Sequence, residues 1–244
     1  MKLEIPRKDL IKVEERDEKP FLVSKYRLDN NSQKDSIATA LENDSPTFNT
    51  AEELNGHPYI GKINWEQAMK LALSFGLPLT LGDHKFFRKI LDQGRRGEIK
   101  VYNGEGKIVD SRECEQLYDE VMGQRNPWRG EYLDAHFESG EDEVFYLLSD
   151  HRLQERILRP QRREELDSST YRKNGFVDFS SFTKQGLPTK LESGKQRNLY
   201  YFHPQDRSVA WFVAYSGRVV LYCNRDPQVS YSGLGVRAKI LIEE

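Results

Sequence analysis

The stretch from Val209 to Arg237 constrains what this chain can become more than any other. Ala210, Phe212, Ala214 and Ser216 share one parity, and Val209, Trp211, Val213 and Tyr215 the other. Beyond Gly217, the apolar Val219, Leu221 and Cys223 alternate with Arg218, Val220, Tyr222 and Asn224. Successive side chains of a strand point to opposite faces, so the pattern reads as strands with one face in the core and the other presented. The presented set, continued by Asn224, Arg225, Asp226, Gln228 and Tyr231, consists of the residue types of a paratope. There, rigid aromatics supply contact area and short polar groups supply adaptable hydrogen bonds. An ordinary half-buried hairpin with a few surface aromatics fits the same pattern equally well.

The preceding chain reads as α+β. Residues 21–26 have the composition of a strand, and residues 29–53, rich in Asn, Asp, Ser and Thr, read as a long irregular connection. Residues 1–60 are therefore set apart as an extended N-terminal segment from a domain over 61–244. Asn64 with Gln67 forms a capping-box pattern, Trp65, Ala68, Met69, Ala72 and Phe75 mark one helical face, and Gly76 is expected to provide a left-handed stop. Pro78 keeps its surroundings extended, and Thr80 begins a second helix with Phe86, Phe87, Ile90 and Leu91 inward and Gly94 at its end.

Asn103-Gly-Glu-Gly106 predicts a hairpin between residues 98–102 and 107–109, and Ser111 reads as the cap of a helix carrying Cys114, Leu117, Tyr118, Val121 and Met122. Trp128, Tyr132, Leu133 and Phe137 stand at near-helical spacing, which favours core anchoring over a site. Residues 143–148 and 198–203 read as strands, and 167–195 as a loop-rich approach. The arginine-rich stretch 152–163 reads as a mixed-charge helix face, more in keeping with surface salt bridges than with nucleic acid.

Composition disfavours several function classes. Lys plus Arg total 37 against 39 for Asp plus Glu, a net charge of -2, so the chain has no global basic footprint for nucleic acid or anionic membrane. No apolar run is long enough to span a bilayer and no secretory h-region opens the sequence, so a soluble protein, cytoplasmic or virion-associated, is expected. Cys114 and Cys223 have no neighbours at metal-ligand spacing and read as buried thiols. The five histidines are scattered, and the Gly-x-Gly-x-x-Gly, P-loop, His-Glu-x-x-His and Gly-x-Ser-x-Gly motifs do not occur.

Val209-Ala210, Phe212, Ala214, Ser216, Leu221, Cys223, Pro227, Ser230, Ser232 and the closing Leu234-Gly-Val-Arg-Ala238 resemble the variable region of proteins diversified by diversity-generating retroelements, archaeal or viral. The resemblance implies a C-type-lectin fold of the formylglycine-generating-enzyme-like branch: α+β, with antiparallel strands, two or more packed helices around Leu77-Pro78-Leu79-Thr80, and a hypervariable region at about residues 198–237. In such proteins, error-prone copying of template adenines replaces Asn codons with those for Tyr, Asn, Asp, Ser, Gly, Arg or Val. Tyr215, Gly217, Tyr222, Asn224, Arg225, Asp226 and Tyr231 match that set, whereas Trp211 and Gln228 depart from it.

The function so implied is display without catalysis, cofactor or metal. Trp211, Val213, Tyr215, Arg218, Tyr222, Asn224, Arg225, Asp226, Gln228 and Tyr231 would bind varied ligands, a protein or another cell-surface molecule. Membrane insertion is not expected and nucleic acid is disfavoured as a partner. The alternative is a formylglycine-generating-enzyme-like domain with an enzymatic activity of its own. The closely spaced, copper-binding cysteine pair of those enzymes has no counterpart in Cys114 and Cys223. The Glu-Pro-Asn, Gln-Pro-Asp and Trp-Asn-Asp motifs of calcium-dependent lectins do not occur either.

Overall fold

The computed structural model describes residues 4–14, 19–28, 49–52, 58–126, 128–141, 144–178, 180–192 and 199–242. Its first part holds strands β1 (Leu10–Val13), β2 (Phe21–Ser24), β3 (Asn49–Glu52) and β4 (Pro58–Gly61), helix α1 (Trp65–Phe75), strand β5 (Leu77–Pro78) and helix α2 (Leu81–Arg95). A short hairpin, β6 (Val101–Tyr102) and β7 (Ile108–Val109), leads into α3 (Ser111–Met122). Next come β8 (Arg129–Ser139), β9 (Phe145–Ser149), β10 (Arg152–Gln154), β11 (Ile157–Arg159), β12 (Arg162–Glu165) and β13 (Gly175–Phe176). The last are β14 (Leu199–Phe202), β15 (Ser208–Tyr215), β16 (Arg218–Arg225), β17 (Leu234–Gly235) and β18 (Ala238–Leu241).

Local chemistry starts each helix. Asn64 Oδ1 accepts from Gln67 N at 2.9 Å while Gln67 Oε1 accepts from Asn64 N at 2.9 Å. Thr80 and Asp83 make the same reciprocal pair at the head of α2, so both helices satisfy N–H groups that a first turn leaves without partners. The cap of α3 is Asp110, which accepts from Glu113 N at 2.7 Å, and not Ser111 as expected; Ser111 is already the first helical residue. Gly76 ends α1 by a different route from the left-handed turn expected. Its φ of -170° is extended, and a Cβ there would stand 2.3 Å from the Lys239 carbonyl oxygen. Close approach of β18, not turn geometry, requires glycine at this position.

The chain is α+β. An eight-stranded sheet runs β12-β9-β8-β15-β16-β14-β13, with β17 beside β8. Its pairs are antiparallel except β14 with β16 and β17 with β8. A four-stranded sheet, β1-β2-β18-β5, joins the two ends of the chain, with Leu22 opposite Ile240 and Phe21 opposite Leu241. The segment 1–60, set apart in the sequence, thus lends strands to the same sheet as the C-terminus, and Ile11, Val13, Phe21 and Val23 are buried in the core. Within the expected irregular connection, residues 49–52 instead pair with β4; residues 29–48 and 53 lie outside the described residues.

Both faces of the main sheet are covered. Ala210, Phe212, Ala214, Val219, Leu221 and Cys223 meet Phe87 and Leu91 of α2 and Leu117 and Val121 of α3. On the opposite face Tyr132, Val209, Trp211, Val213, Val220 and Tyr222 belong to a second core cluster that also holds Trp65, Met69 and Ala72 of α1, with Trp65 Nε1 donating to Leu133 O of β8 at 2.8 Å. This corrects the expectation of a fully presented parity: Trp211, Val213 and Tyr222 are only 3%, 1% and 5% exposed. Alternation distinguishes two faces of a strand but does not say what covers each, and a strand covered twice is apolar on both.

Two further expectations change. Residues read at helical spacing between Trp128 and Phe137 lie in or beside strand β8, where period two sends Leu133, Ala135 and Phe137 to one core and Tyr132 to the other. The arginine-rich stretch 152–163 forms the β10–β11 hairpin and runs into edge strand β12. Its turn places Glu155 and Arg156 at φ of 51° and 67°, which a helix does not permit.

A buried ionic cluster ties the sheets to α3. Arg237 Nε donates to Glu131 Oε1 at 2.8 Å, its Nη2 donates to Glu120, and Arg27 Nη2 donates to Glu120 Oε1 at 2.6 Å. Arg237 Nη1 donates to the carbonyls of Ser24 and Lys25. One arginine therefore links β2, α3 and β8 to the start of β18.

Candidate ligand-binding face

Beyond α1, the second face of the main sheet continues across β15, β16, β14 and β13 as a run of aromatic side chains. Register puts Trp211 opposite Tyr222, Phe202 beside Tyr222, and Phe176 opposite Tyr200. Ring centroids follow one another at 6.4 Å for Tyr215–Tyr222, 4.8 Å for the stacked Phe202–Tyr222, 4.9 Å for Tyr200–Phe202 and 5.1 Å for Phe176–Tyr200. Apart from buried Tyr222, these rings are half-buried. The Tyr215 and Tyr222 hydroxyls share a hydrogen bond of 2.8 Å, and burial together with that bond pushes the Tyr215 phenol well above its usual range. Tyr215 therefore stays neutral.

Two arginines rest on this layer. The Arg218 guanidinium lies 5.0 Å from the Tyr200 ring centre, and that of Arg225 lies 3.8 Å from Tyr222 and 5.4 Å from Trp211. Stacking on a ring face restrains a guanidinium while leaving its N–H edge open to a partner.

Residues 226–233, between β16 and β17, lie over Trp211 and Tyr132, and the scaffold grips them by the main chain. Trp65 N donates to Pro227 O at 3.1 Å, Lys62 N to Tyr231 O at 3.1 Å and Gly130 N to Gly233 O at 2.9 Å. Tyr132 Oη lies 2.9 Å from Val229 O and 2.8 Å from Ile63 O, one proton serving both carbonyls. The grip thus falls on alternate carbonyls, and Asp226, Gln228, Ser230, Tyr231 and Ser232 are exposed. Gly61 permits the approach, since a Cβ there would stand 2.4 Å from Ser232 O. The Tyr231 ring closes the layer, edge-on to Trp128 and to Trp211 at 5.6 Å each.

Of the residues read as contacts from the sequence, Arg218, Asp226, Gln228 and Tyr231 are exposed, while Tyr215, Asn224 and Arg225 are half-buried around the same face. Trp211, Val213 and Tyr222 are corrected from contacts to the packed support beneath it. Sequence reasoning missed half-buried Trp128, Phe176, Tyr200 and Phe202. Tyr200 and Phe202 share a parity in a strand that alternates buried and half-buried, which is a usable signal. Their place beside β16 depends on a parallel pairing that no local pattern encodes.

Cys114 and Cys223 are buried free thiols, pushed up by burial, Cys114 to about 11. Among the described residues, no group of three or more His, Cys, Asp or Glu side chains is arranged to hold a metal ion, and no helix is long and apolar enough to cross a membrane. Comparison with protein-family models, curated proteins and solved structures gives no match to this chain.

Proposed function

We propose that this protein is a non-enzymatic display scaffold that binds a protein or other cell-surface ligand. The binding face combines the 226–233 loop with Tyr215, Arg218, Asn224, Arg225 and the half-buried Trp128, Tyr200 and Phe202. The main-chain grip on the loop carries this reading. Because Trp65 N, Lys62 N, Tyr132 Oη and Gly130 N all bond to carbonyls, the side chains of Asp226, Gln228, Ser230 and Tyr231 can be exchanged without removing any of these bonds. Packed Trp211, Val213 and Tyr222 keep the support rigid, which limits an ordering cost of about 0.5–1.5 kcal/mol per side chain immobilised on binding. Aromatic and arginine side chains are also those most often responsible for binding energy.

The finer reading is a variable protein of a diversity-generating retroelement, built on a C-type-lectin fold. Tyr215, Asn224, Arg225, Asp226 and Tyr231 support it, because they belong both to the expected substitution set and to the exposed or half-buried face. The test is to sequence the gene across its natural population. Substitutions should gather at codons 215, 218, 224–226, 228 and 231 and spare 209–214 and 234–237. Variation spread evenly along the chain would overturn the proposal.

A further inference from the structure

A groove of about 460 Å³ lies on the opposite side of the main sheet, between α2 and the loop bearing Ser180 and Phe182. We infer that it binds a small phosphate-bearing ligand with a planar body, the phosphates meeting Lys85, Lys89 and Arg96 and the flat part resting between Phe86 and Phe182. This site is independent of the ligand face described above.

The helix determines the charge pattern. Positions 85, 89, 92 and 96 recur at intervals of four, three and four, so they form one stripe about 16 Å long at a rise of 1.5 Å per residue. Asp92 is the carboxylate on that stripe; it is engaged by Arg95 Nε at 2.9 Å and Arg96 Nη2 at 2.7 Å, and Arg96 Nη1 also lies 3.1 Å from Glu98 Oε1, so the net positive charge of the stripe rests on Lys85 and Lys89. The groove is therefore positive in a chain whose net charge is -2. Its floor carries a further cation: Arg88 is 3% exposed, its guanidinium 4.5 Å from the Phe212 ring centre and 5.9 Å from that of Phe182. Burial lowers the Arg88 guanidinium to about 10, and an anion in the groove would oppose that shift.

The walls fit the rest of the ligand. Phe86 and Phe182 are half-buried and line the groove, and the volume falls within the 300–1,000 Å³ typical of small-molecule sites. Lysine acts on phosphate as a point charge, so several lysines and arginines along one stripe suit a chain of phosphates better than a single carboxylate.

The test is calorimetric titration of the full chain with ATP, with tripolyphosphate and with adenosine as separate probes. ATP should bind, tripolyphosphate at least fivefold more weakly, and adenosine not measurably. Lys89→Glu, at an exposed position, should weaken ATP at least tenfold without changing the melting temperature, whereas Arg159→Glu on β11 should leave it unchanged. Phe182→Ala should weaken ATP but not tripolyphosphate. Absence of ATP binding, or equal losses from Lys89→Glu and Arg159→Glu, would overturn the site. Equal affinity for ATP and tripolyphosphate would overturn the aromatic clamp.

Discussion

Arg237 and Glu131 meet Nε to Oε1 at 2.8 Å while exposing only 1% and 3% of their surfaces. Burial alone would raise the Glu131 carboxyl, but Arg237, His84 and Arg27 outweigh it and hold the group well below the usual carboxylate range. Truncating Arg237 would leave Glu131 and Glu120 buried with less compensation. Arg237→Ala should therefore cost about 3–5 kcal/mol, read as a lower urea midpoint. Arg218→Ala, at an exposed position, should change stability by less than about 0.5 kcal/mol. Similar effects from the two would contradict the ionic cluster.

The same cluster makes stability sensitive to acid. His84 Nε2 lies 3.5 Å from Glu131 Oε2; burial lowers the imidazole below its ordinary 6.5, against the opposing pull of Glu131. For both groups the unfolded chain takes up a proton more readily than the folded one, so each contributes stability that is present at neutral pH and lost on acidification. The loss should begin below 6.5 for His84 and add a second limb below 4.5 for Glu131. Urea midpoints measured from about pH 7.5 to about pH 3.5 would trace both limbs. His84→Gln should flatten the upper one and shrink the lower without abolishing it, since Arg237 and Arg27 still hold Glu131 low. An unchanged midpoint as pH falls through the upper limb would show that His84 is not held neutral.

Support and surface should differ in tolerance. Trp211→Ser removes a buried ring from between Tyr132, Tyr222 and Tyr231 and should cost about 3–5 kcal/mol. Gln228→Tyr and Ser230→Tyr should shift stability by no more than about 0.5 kcal/mol. Thermal melts of the three variants decide the matter: a tolerated Trp211→Ser beside a damaging Ser230→Tyr would reverse the assignment of layers.

Tyr132→Phe tests the grip on the loop. It keeps the buried ring but withdraws the proton shared by Ile63 O and Val229 O, which should cost about 1–3 kcal/mol. Hydrogen exchange at Leu234 N, bonded to Tyr231 O, should quicken more than at amides in the centre of β15. Uniform exchange across both would mean that the hydroxyl does not hold the loop.

The elements legible in advance were those whose causes lie within a few residues. Asn64 with Gln67 and Thr80 with Asp83 announce α1 and α2 because a helix start is satisfied three residues away. The parity of Phe212 and Leu221 correctly marks a core face. Local spacing misled at Trp128 to Phe137, where a few apolar residues satisfy both a helical and a strand period, and at Arg152 to Arg163, where charge pattern alone suggests a helix that the hairpin replaces.

The sequence by itself determined the helix caps, the two parities of β15 and β16, and the chemical character of the 226–233 loop. The tertiary structure alone decided that Trp211, Val213 and Tyr222 are packed into the second core cluster, that Tyr200 and Phe202 join the same aromatic layer, and that the loop is held by its carbonyls. The physical reason is range. A cap or a parity is written in neighbours, whereas coverage of a sheet face and satisfaction of a loop carbonyl depend on Trp65, Tyr132 and Gly130, which only folding brings against the last strands.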